Sequence, residues 1–314
     1  MQYVEGEEKH RCSNCGFSFT GHYCPTCSQR AGVGRVGWHS VRQSVMELWG
    51  LGSRSRSVVY SALQLLYRPG YFIGDYISGK RQVSFPPVKM LFILAVAYAI
   101  IFHWLLPDLN PLGYGFDLHE LGFTVGEGID MANMSKPFYD WYETHFSWFM
   151  LILSFMAIFP TWVMFRHSPR HTRHTLPEGF FIQVLFASLQ VVLFLLMVPC
   201  WFIFKQMTAL TAIFLVVIAY YIIGYRQLFG YSLWGTLWRL AFVFVFVYCC
   251  ALLLAHLVFY MGITTDLQVI PGYTLPAKNF MIGFYCFFGL LTMAVGYLIN
   301  HIATRKWARG FTTS

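Results

Sequence analysis

Four cysteines near the start of the chain carry the clearest chemistry. Cys12-Ser-Asn-Cys15 and Cys24-Pro-Thr-Cys27 are two CxxC pairs separated by eight residues. Two residues between thiolates let one tight turn present both sulfurs to a single ion, and a second pair completes a tetrahedron. One structural Zn2+ bound by Cys12, Cys15, Cys24 and Cys27 is the expected cofactor, because four thiolates leave no open coordination position for catalysis. Gly16 and Pro25 stand where such turns must bend, and Phe17, Phe19 and Tyr23 supply a small apolar cluster. A module of this size cannot fold on apolar burial alone, so the metal would supply its folding energy. His10 and His22 are spare donors. Disulfides do not fit a reducing compartment, and no βαβ pattern surrounds the pairs to suggest a thioredoxin-like site. Cys200, Cys249, Cys250 and Cys286 lie in apolar runs and are expected to pack as small hydrophobes.

Other chemistry is sparse. HExxH, GxSxG and Walker patterns are absent from the sequence, so no catalytic residues are assigned and an enzyme is not expected. The Arg166–His174 connection holds His167, His171 and His174, which would converge on a helix, but Pro169 and the interspersed arginines oppose a metal site there. Gly79-Lys80-Arg81 lacks the GxxxxGK[ST] pattern of a phosphate loop. Lys80 and Arg81 are candidates for a lipid-headgroup contact or a simple anchor. Within the apolar runs the polar residues are His103, Gln183, Ser188, Gln190, His256, Asn300 and His301. Gln183 and Gln190 are seven apart and share a helix face. They either hydrogen-bond between helices or line an uncharged groove with His256.

The elements that must position these residues follow from composition. Hydrophobic residues make up 57% of the 314 and charged residues 11%, with mean hydropathy +0.52. A water-facing surface needs roughly 25–35% charged residues, so most of this chain faces something else. Six apolar runs are long enough to cross a bilayer: Met90–Leu106, Phe146–Phe165, Phe180–Phe204, Met207–Tyr225, Leu240–Met261 and Phe280–Ile302. None contains Asp or Glu, and none contains Arg or Lys. The third and fourth are separated only by Lys205 and Gln206, which predicts a tight hairpin. Of the 22 Lys and Arg, nineteen fall in alternate connections and the two terminal segments, and only Lys136, Lys205 and Lys278 in the others. The positive-inside rule then puts both termini in the cytoplasm. Residues 1–10 carry Glu5, Glu7 and Glu8 with no apolar stretch behind them, so no secretory signal is expected. The external connection 107–145 is acidic and reads as a solvated loop.

The sequence thus predicts an all-α membrane protein: a cytoplasmic zinc ribbon over 1–32, a juxtamembrane region over 33–89, six transmembrane helices over 90–302 and a basic tail over 303–314. In the juxtamembrane region Trp38, Val41, Val45, Leu48 and Trp49 recur at helical spacing, and Val58–Tyr67 forms a second apolar run stopped by Pro69-Gly70. With Arg42, Arg54, Arg56 and Arg68 interspersed, these are expected as interfacial helices on anionic lipid, or as a pair docked on the ends of the spans. Gly283, Gly289 and Gly296 in the last run are expected to permit close helix packing.

The pattern Cys12-x-x-Cys15-Gly16-x-x-Phe19-x-Gly21-x-Tyr23-Cys24-x-x-Cys27-x-Gln29, then Pro69-Gly70, Tyr76-Ile77-x-Gly79-Lys80-Arg81 and Pro86, resembles a bacterial family of zinc-ribbon membrane proteins catalogued as a domain of unknown function. The resemblance covers roughly residues 12–105. Ser28 stands where glycine is expected after the last cysteine. The resemblance implies a bacterial inner-membrane protein and no activity. Taken together, the residues predict a non-enzymatic scaffold or adaptor with a protein partner at its N-terminal region and lipids around its spans. A permease or lipid-handling protein is the alternative. Arg11, Arg30 and Arg35 are too few to predict nucleic-acid binding.

Overall fold

The computed structural model describes residues 9–46, 57–101, 146–170, 174–196, 198–199, 206–265 and 275–310. The chain is mostly helical. Among the described residues two short strands, β1 (His10–Arg11) and β2 (Ser18–Phe19), pair antiparallel with His10 opposite Phe19. Helices follow: α1 (Trp38–Met46), α2 (Val58–Tyr67), α3 (Pro69–Ile77), a 3-10 turn (Arg81–Val83), α4 (Pro87–Ala99), α5 (Phe146–Phe165), α6 (Leu176–Leu196), α7 (Gln206–Phe229), α8 (Leu233–Thr265) and α9 (Leu275–Gly310).

Three helical stretches among the described residues are long and apolar enough to cross a membrane: Leu176–Leu196, Leu233–Ala251 and Ile282–Ile302. They bury very different shares of their surface. The first is 83% buried and the last 17%, so α6 is the hub of the bundle while α9 turns most of its apolar side chains outward. Helices α4, α5 and α7 pack around α6, and α8 joins α5 to α9. Apolar stretches also occupy Pro87–Ala99 in α4, Phe155–Phe165 in α5 and Leu215–Phe229 in α7. The predicted acidic connection 107–145 lies outside the described residues.

The juxtamembrane region departs from its expected form at Pro69-Gly70. Instead of only stopping α2, Pro69 opens α3 at its first turn, where its missing N–H costs nothing. Phe72, Ile73, Tyr76 and Ile77 of α3 are all buried, and the helix packs on α7 and α6. Gly70 makes this possible: a Cβ there would collide with the carbonyl oxygen of Gly224 in α7. Helix α3 is thus an element the sequence reading did not expect, docked on the bundle beside the two that it did. Helix α2 keeps Val59, Leu63 and Tyr67 exposed along one face, the i, i+4, i+8 spacing of an apolar stripe. In the last helix the glycine expectation divides. A Cβ at Gly296 would meet Met164 and Phe242, whereas at Gly283 it would meet nothing within 4 Å among the described residues.

Candidate metal centre and its seat on the bundle

The four predicted ligands come together. All four sulfurs lie within 4.8 Å of one another, with Cys12 to Cys27 and Cys15 to Cys24 each 3.5 Å apart. They are free thiols, and four cysteines in such a cluster can hold a metal ion. Two knuckles of the same construction build the cluster. In the first, the Gly16 N–H donates to the Cys12 carbonyl at 2.9 Å and the Cys12 N–H to the Phe17 carbonyl at 2.9 Å. In the second, the Ser28 N–H donates to the Cys24 carbonyl and the Cys24 N–H to the Gln29 carbonyl, both at 2.8 Å. Ser28 is therefore the counterpart of Gly16, and both have left-handed backbone, at φ 59° and 77°. The expectation of glycine at position 28 has its reason here: only glycine enters that region without a steric cost.

The thiols differ in acidity. Burial works to raise Cys24, but the backbone N–H groups of Cys27 and Thr26 and the neighbouring thiols of Cys15 and Cys27 bring it down to about 7. For Cys15 the Phe17 N–H favours the thiolate, yet lost hydration and the sulfurs of Cys24, Cys12 and Cys27 outweigh it and push the thiol up to about 12. One thiolate forms readily and is shared by the others, a state poised to exchange protons for a cation.

The second knuckle faces the bundle. Gln29 is buried. Its Nε2 donates to the Gly79 carbonyl at 2.9 Å, and its Oε1 accepts from the Arg81 N–H at 3.2 Å. The Gln82 amide reaches the Ser28 carbonyl at 3.4 Å, and the Val36 N–H donates to the Ile77 carbonyl at 3.1 Å. A few residues on, Arg35 pairs with Glu178 through Nε to Oε1 and through Nη2 to Oε2 at 2.9 Å. Glu178 is fully buried at the start of α6, where it also meets His174 Nδ1 at 3.2 Å and the Thr175 N–H at 3.1 Å. A buried carboxylate needs such partners, since unpaired it would not remain charged. The expected apolar cluster is corrected: only Phe19 is buried, packed with Cys12 and Cys24, whereas Phe17 and Tyr23 are 49% and 64% exposed, because so small a module has room to bury one ring beside its sulfurs.

The remaining candidates occupy separate places. Lys80 Nζ bonds Asp75 at 2.8 Å. Arg81 donates from Nη2 to Ser40 Oγ at 2.8 Å and lies over the Tyr76 ring. Both therefore tie the juxtamembrane elements together. Gln183, buried in α6, donates to Thr161 Oγ1 at 2.6 Å and Tyr225 Oη at 2.7 Å. Gln190, nearer the other end of α6, meets the Tyr221 hydroxyl at 3.5 Å. Gln183 and Gln190 thus bond to different neighbours along α7. His256 is in α8, and its side chain lies outside the described residues, as does His171 of the histidine-bearing connection. Two residues of consequence escape a reading by apolar runs. Glu178 and Arg239 are buried within α6 and α8, but runs trimmed at the nearest charge exclude them. The only sequence signal for Glu178 is its place in the first turn of α6, where a carboxylate suits the helix dipole.

Helical bundle and cysteine cluster together define a chain with membrane-span candidates and an N-terminal group of four cysteines able to hold a metal ion. Residues 56–99 match a family described as a protein of unknown function (DUF3667), and so cover α2, α3 and α4 together with the turn after α3 that receives Gln29. No curated protein and no solved structure matches the chain.

Proposed function

We propose that the chain is a six-span adaptor of the bacterial inner membrane, with both termini in the cytoplasm and no enzymatic activity of its own. Its N-terminal module is a zinc ribbon that docks a cytoplasmic or membrane protein partner. The observation that carries this reading is the seating of the ribbon. Gln29 and Arg35 fasten this segment to the bundle, while Phe17 and Tyr23 stay exposed. Exposed aromatics on a rigidly held module are what a protein interface uses as anchors. Zinc fits the donor set: a Zn–S length of about 2.3 Å puts the sulfurs of a tetrahedral site about 3.8 Å apart, close to the spacing of the cluster. When bound, the ion supplies folding energy and leaves no position for a substrate.

A permease with an uncharged groove is the second reading. Gln183 gives it little support, because its amide donates to Thr161 and Tyr225 inside the packed bundle. Affinity purification from native membranes in mild detergent separates the two. Wild type is compared with Cys12→Ser/Cys24→Ser and with Phe17→Ala/Tyr23→Ala, with zinc measured alongside. The adaptor reading expects a protein that co-purifies with wild type and is lost from both variants, although Phe17→Ala/Tyr23→Ala keeps its zinc. A partner retained by both variants, or loss of function only on Gln183→Leu/Gln190→Leu, overturns it.

A further inference from the structure

Arg239 lies early in α8 and is only 5% exposed. Its Nε and Nη2 donate to Asn300 Oδ1 at 3.2 and 3.0 Å, and its Nη1 donates to the Gly235 carbonyl at 2.7 Å. A guanidinium carries five N–H groups, so these bonds leave two over. No carboxylate pairs with Arg239 among the described residues. Its faces are covered by two rings, with Tyr231 at 3.8 Å and Trp238 at 4.2 Å from Cζ. Ring faces offset part of the charge but cannot accept its in-plane hydrogens. Buried charges elsewhere in proteins are paired or bind a counter-ion.

A second group at the same place is also incomplete. The Tyr231 hydroxyl is buried and meets no hydrogen-bond partner among the described residues. With the guanidinium carbon so close to the ring centre, hydroxyl and guanidinium can reach one small anion together. The surroundings are basic. Asn300 donates from Nδ2 to the Val163 carbonyl, and His167 lies one turn beyond Val163, followed by the chain to Arg170. Burial, then the charges of Arg166 and His301, hold His167 below its ordinary pKa. The Arg170 guanidinium sits over the Tyr71 ring of α3. This is the end of the bundle that carries the ribbon. An arginine serving only to anchor a helix end would extend its head into water, whereas Arg239 is enclosed.

We propose that Arg239 and Tyr231 form a phosphate-binding site between α5, α8 and α9, in which the leftover guanidinium N–H groups and the phenolic O–H donate to phosphate oxygens. Planar, two-pronged donation to phosphate is what arginine does best, and basic sites between membrane helices receive anionic lipid headgroups. A lipid headgroup and free phosphate share this chemistry. The inference stands apart from the adaptor reading, since no ribbon residue takes part.

The test uses the full chain purified in mild detergent. Retained lipid is read by native mass spectrometry, and thermal unfolding is followed in nanodiscs of phosphatidylcholine with and without phosphatidylglycerol, and in detergent with inorganic phosphate. Wild type should retain anionic phospholipid or bind phosphate, and its Tm should rise with whichever is the source. A rise with phosphatidylglycerol alone names a headgroup, and a rise with inorganic phosphate in delipidated detergent names the free ion. Arg239→Gln and Tyr231→Phe should each weaken binding about tenfold, the loss expected for a hydrogen bond to a charged group. Tyr231→Phe should leave Tm in delipidated, phosphate-free detergent unchanged, because the hydroxyl meets no hydrogen-bond partner among the described residues. It therefore decides the matter even where Arg239→Gln fails to fold. Undiminished anionic lipid in folded Tyr231→Phe, or no response of wild type to either ligand, overturns the proposal.

Discussion

The side-chain amide of Gln29, two residues past the last cysteine of the metal cluster, donates to the carbonyl of Gly79 fifty residues later at 2.9 Å. With the Arg81 N–H returning to its Oε1, one buried glutamine closes both of its amide atoms onto the turn that ends α3. Gln29→Ala would leave the Gly79 carbonyl and the Arg81 N–H without this partner, at a cost of about 1–3 kcal/mol. The metal ligands are untouched, so metal content should stay at the wild-type level while the ribbon loosens. Limited proteolysis between residues 30 and 40 would read this as faster cleavage. Equal cleavage rates in the two proteins would mean that the seat does not depend on Gln29.

Ser28 offers the opposite kind of change. It holds left-handed backbone at φ 59° in the position that Gly16 fills in the first knuckle, at a cost of about 1–2 kcal/mol for a residue with a Cβ. Glycine removes that cost but makes the unfolded chain looser by about 0.4–1 kcal/mol. The net gain should tighten metal binding by up to about tenfold, since each 1.4 kcal/mol is tenfold. Competition with a chromophoric chelator measures it. Weaker binding by Ser28→Gly would show that the serine hydroxyl contributes more than the strain removes.

Removing the metal should act beyond the cluster. Chelation leaves four thiols with no ion to hold the knuckles, and a module of this kind then loses its fold. The prediction is that chelator treatment raises both maleimide labelling of Cys12–Cys27 and exposure of residues 77–83 to hydrogen exchange, because Gln29 departs with the knuckle. Binding should also weaken as pH falls, since protons compete for thiolate. The dependence should steepen by one proton below about 7, where the metal-free Cys24 thiol becomes protonated. A pH-independent affinity between about 6 and 8 would contradict thiolate ligation.

The cluster was legible in the sequence because its ligands are local: two CxxC pairs and the turn residues beside them fix the site within sixteen residues. The expected end of the second apolar run at Phe165 is also the end of α5, since the apolar run stops there at Arg166. What joins the ribbon to the bundle was not legible. Gln29 to Gly79 and Arg35 to Glu178 are contacts between distant segments, and neither polarity nor periodicity announces a partner that far away. Glu178 was hidden for a further reason. Reading spans as charge-free runs begins the helix after the charge, whereas the fold includes it and neutralises it with Arg35.

That ion pair should be asymmetric under substitution. The Glu178 side chain is 1% exposed and that of Arg35 46%. Arg35→Ala leaves a buried carboxylate with only His174 and the Thr175 N–H beside it, an expected loss of about 1–3 kcal/mol after allowing for the exposed partner. Glu178→Gln releases a cation that can turn to water, and should cost less than Arg35→Ala. The double variant should then be more stable than Arg35→Ala alone. A double-mutant cycle on thermal unfolding in detergent tests the ordering, and equal losses for the two single changes would argue that the pair is screened by water on both sides.

The crossing of α3 and α7 gives the sharpest packing prediction. A Cβ at Gly70 would strike the backbone oxygen of Gly224, with Gln227 Cβ at 2.5 Å and the Leu228 nitrogen at 2.6 Å. No rotamer change relieves a collision with backbone, so Gly70→Ala must push α3 away from α7. The Gly70 N–H would also lose Gln227 Oε1, its partner at 3.1 Å. Overpacking of this kind costs about 1–3 kcal/mol and can exceed that range where backbones must part. Gly283→Ala is the matched control, because a Cβ there meets nothing within 4 Å among the described residues and alanine favours a helix by about 1 kcal/mol over glycine. Thermal unfolding in one detergent should therefore lower Tm for Gly70→Ala and hold or raise it for Gly283→Ala. Since α3 lies inside the stretch matched to the unknown-function family and carries the turn that receives Gln29, Gly70→Ala should also speed proteolysis of the ribbon. A drop in Tm without that second effect would separate the helix crossing from the ribbon seat.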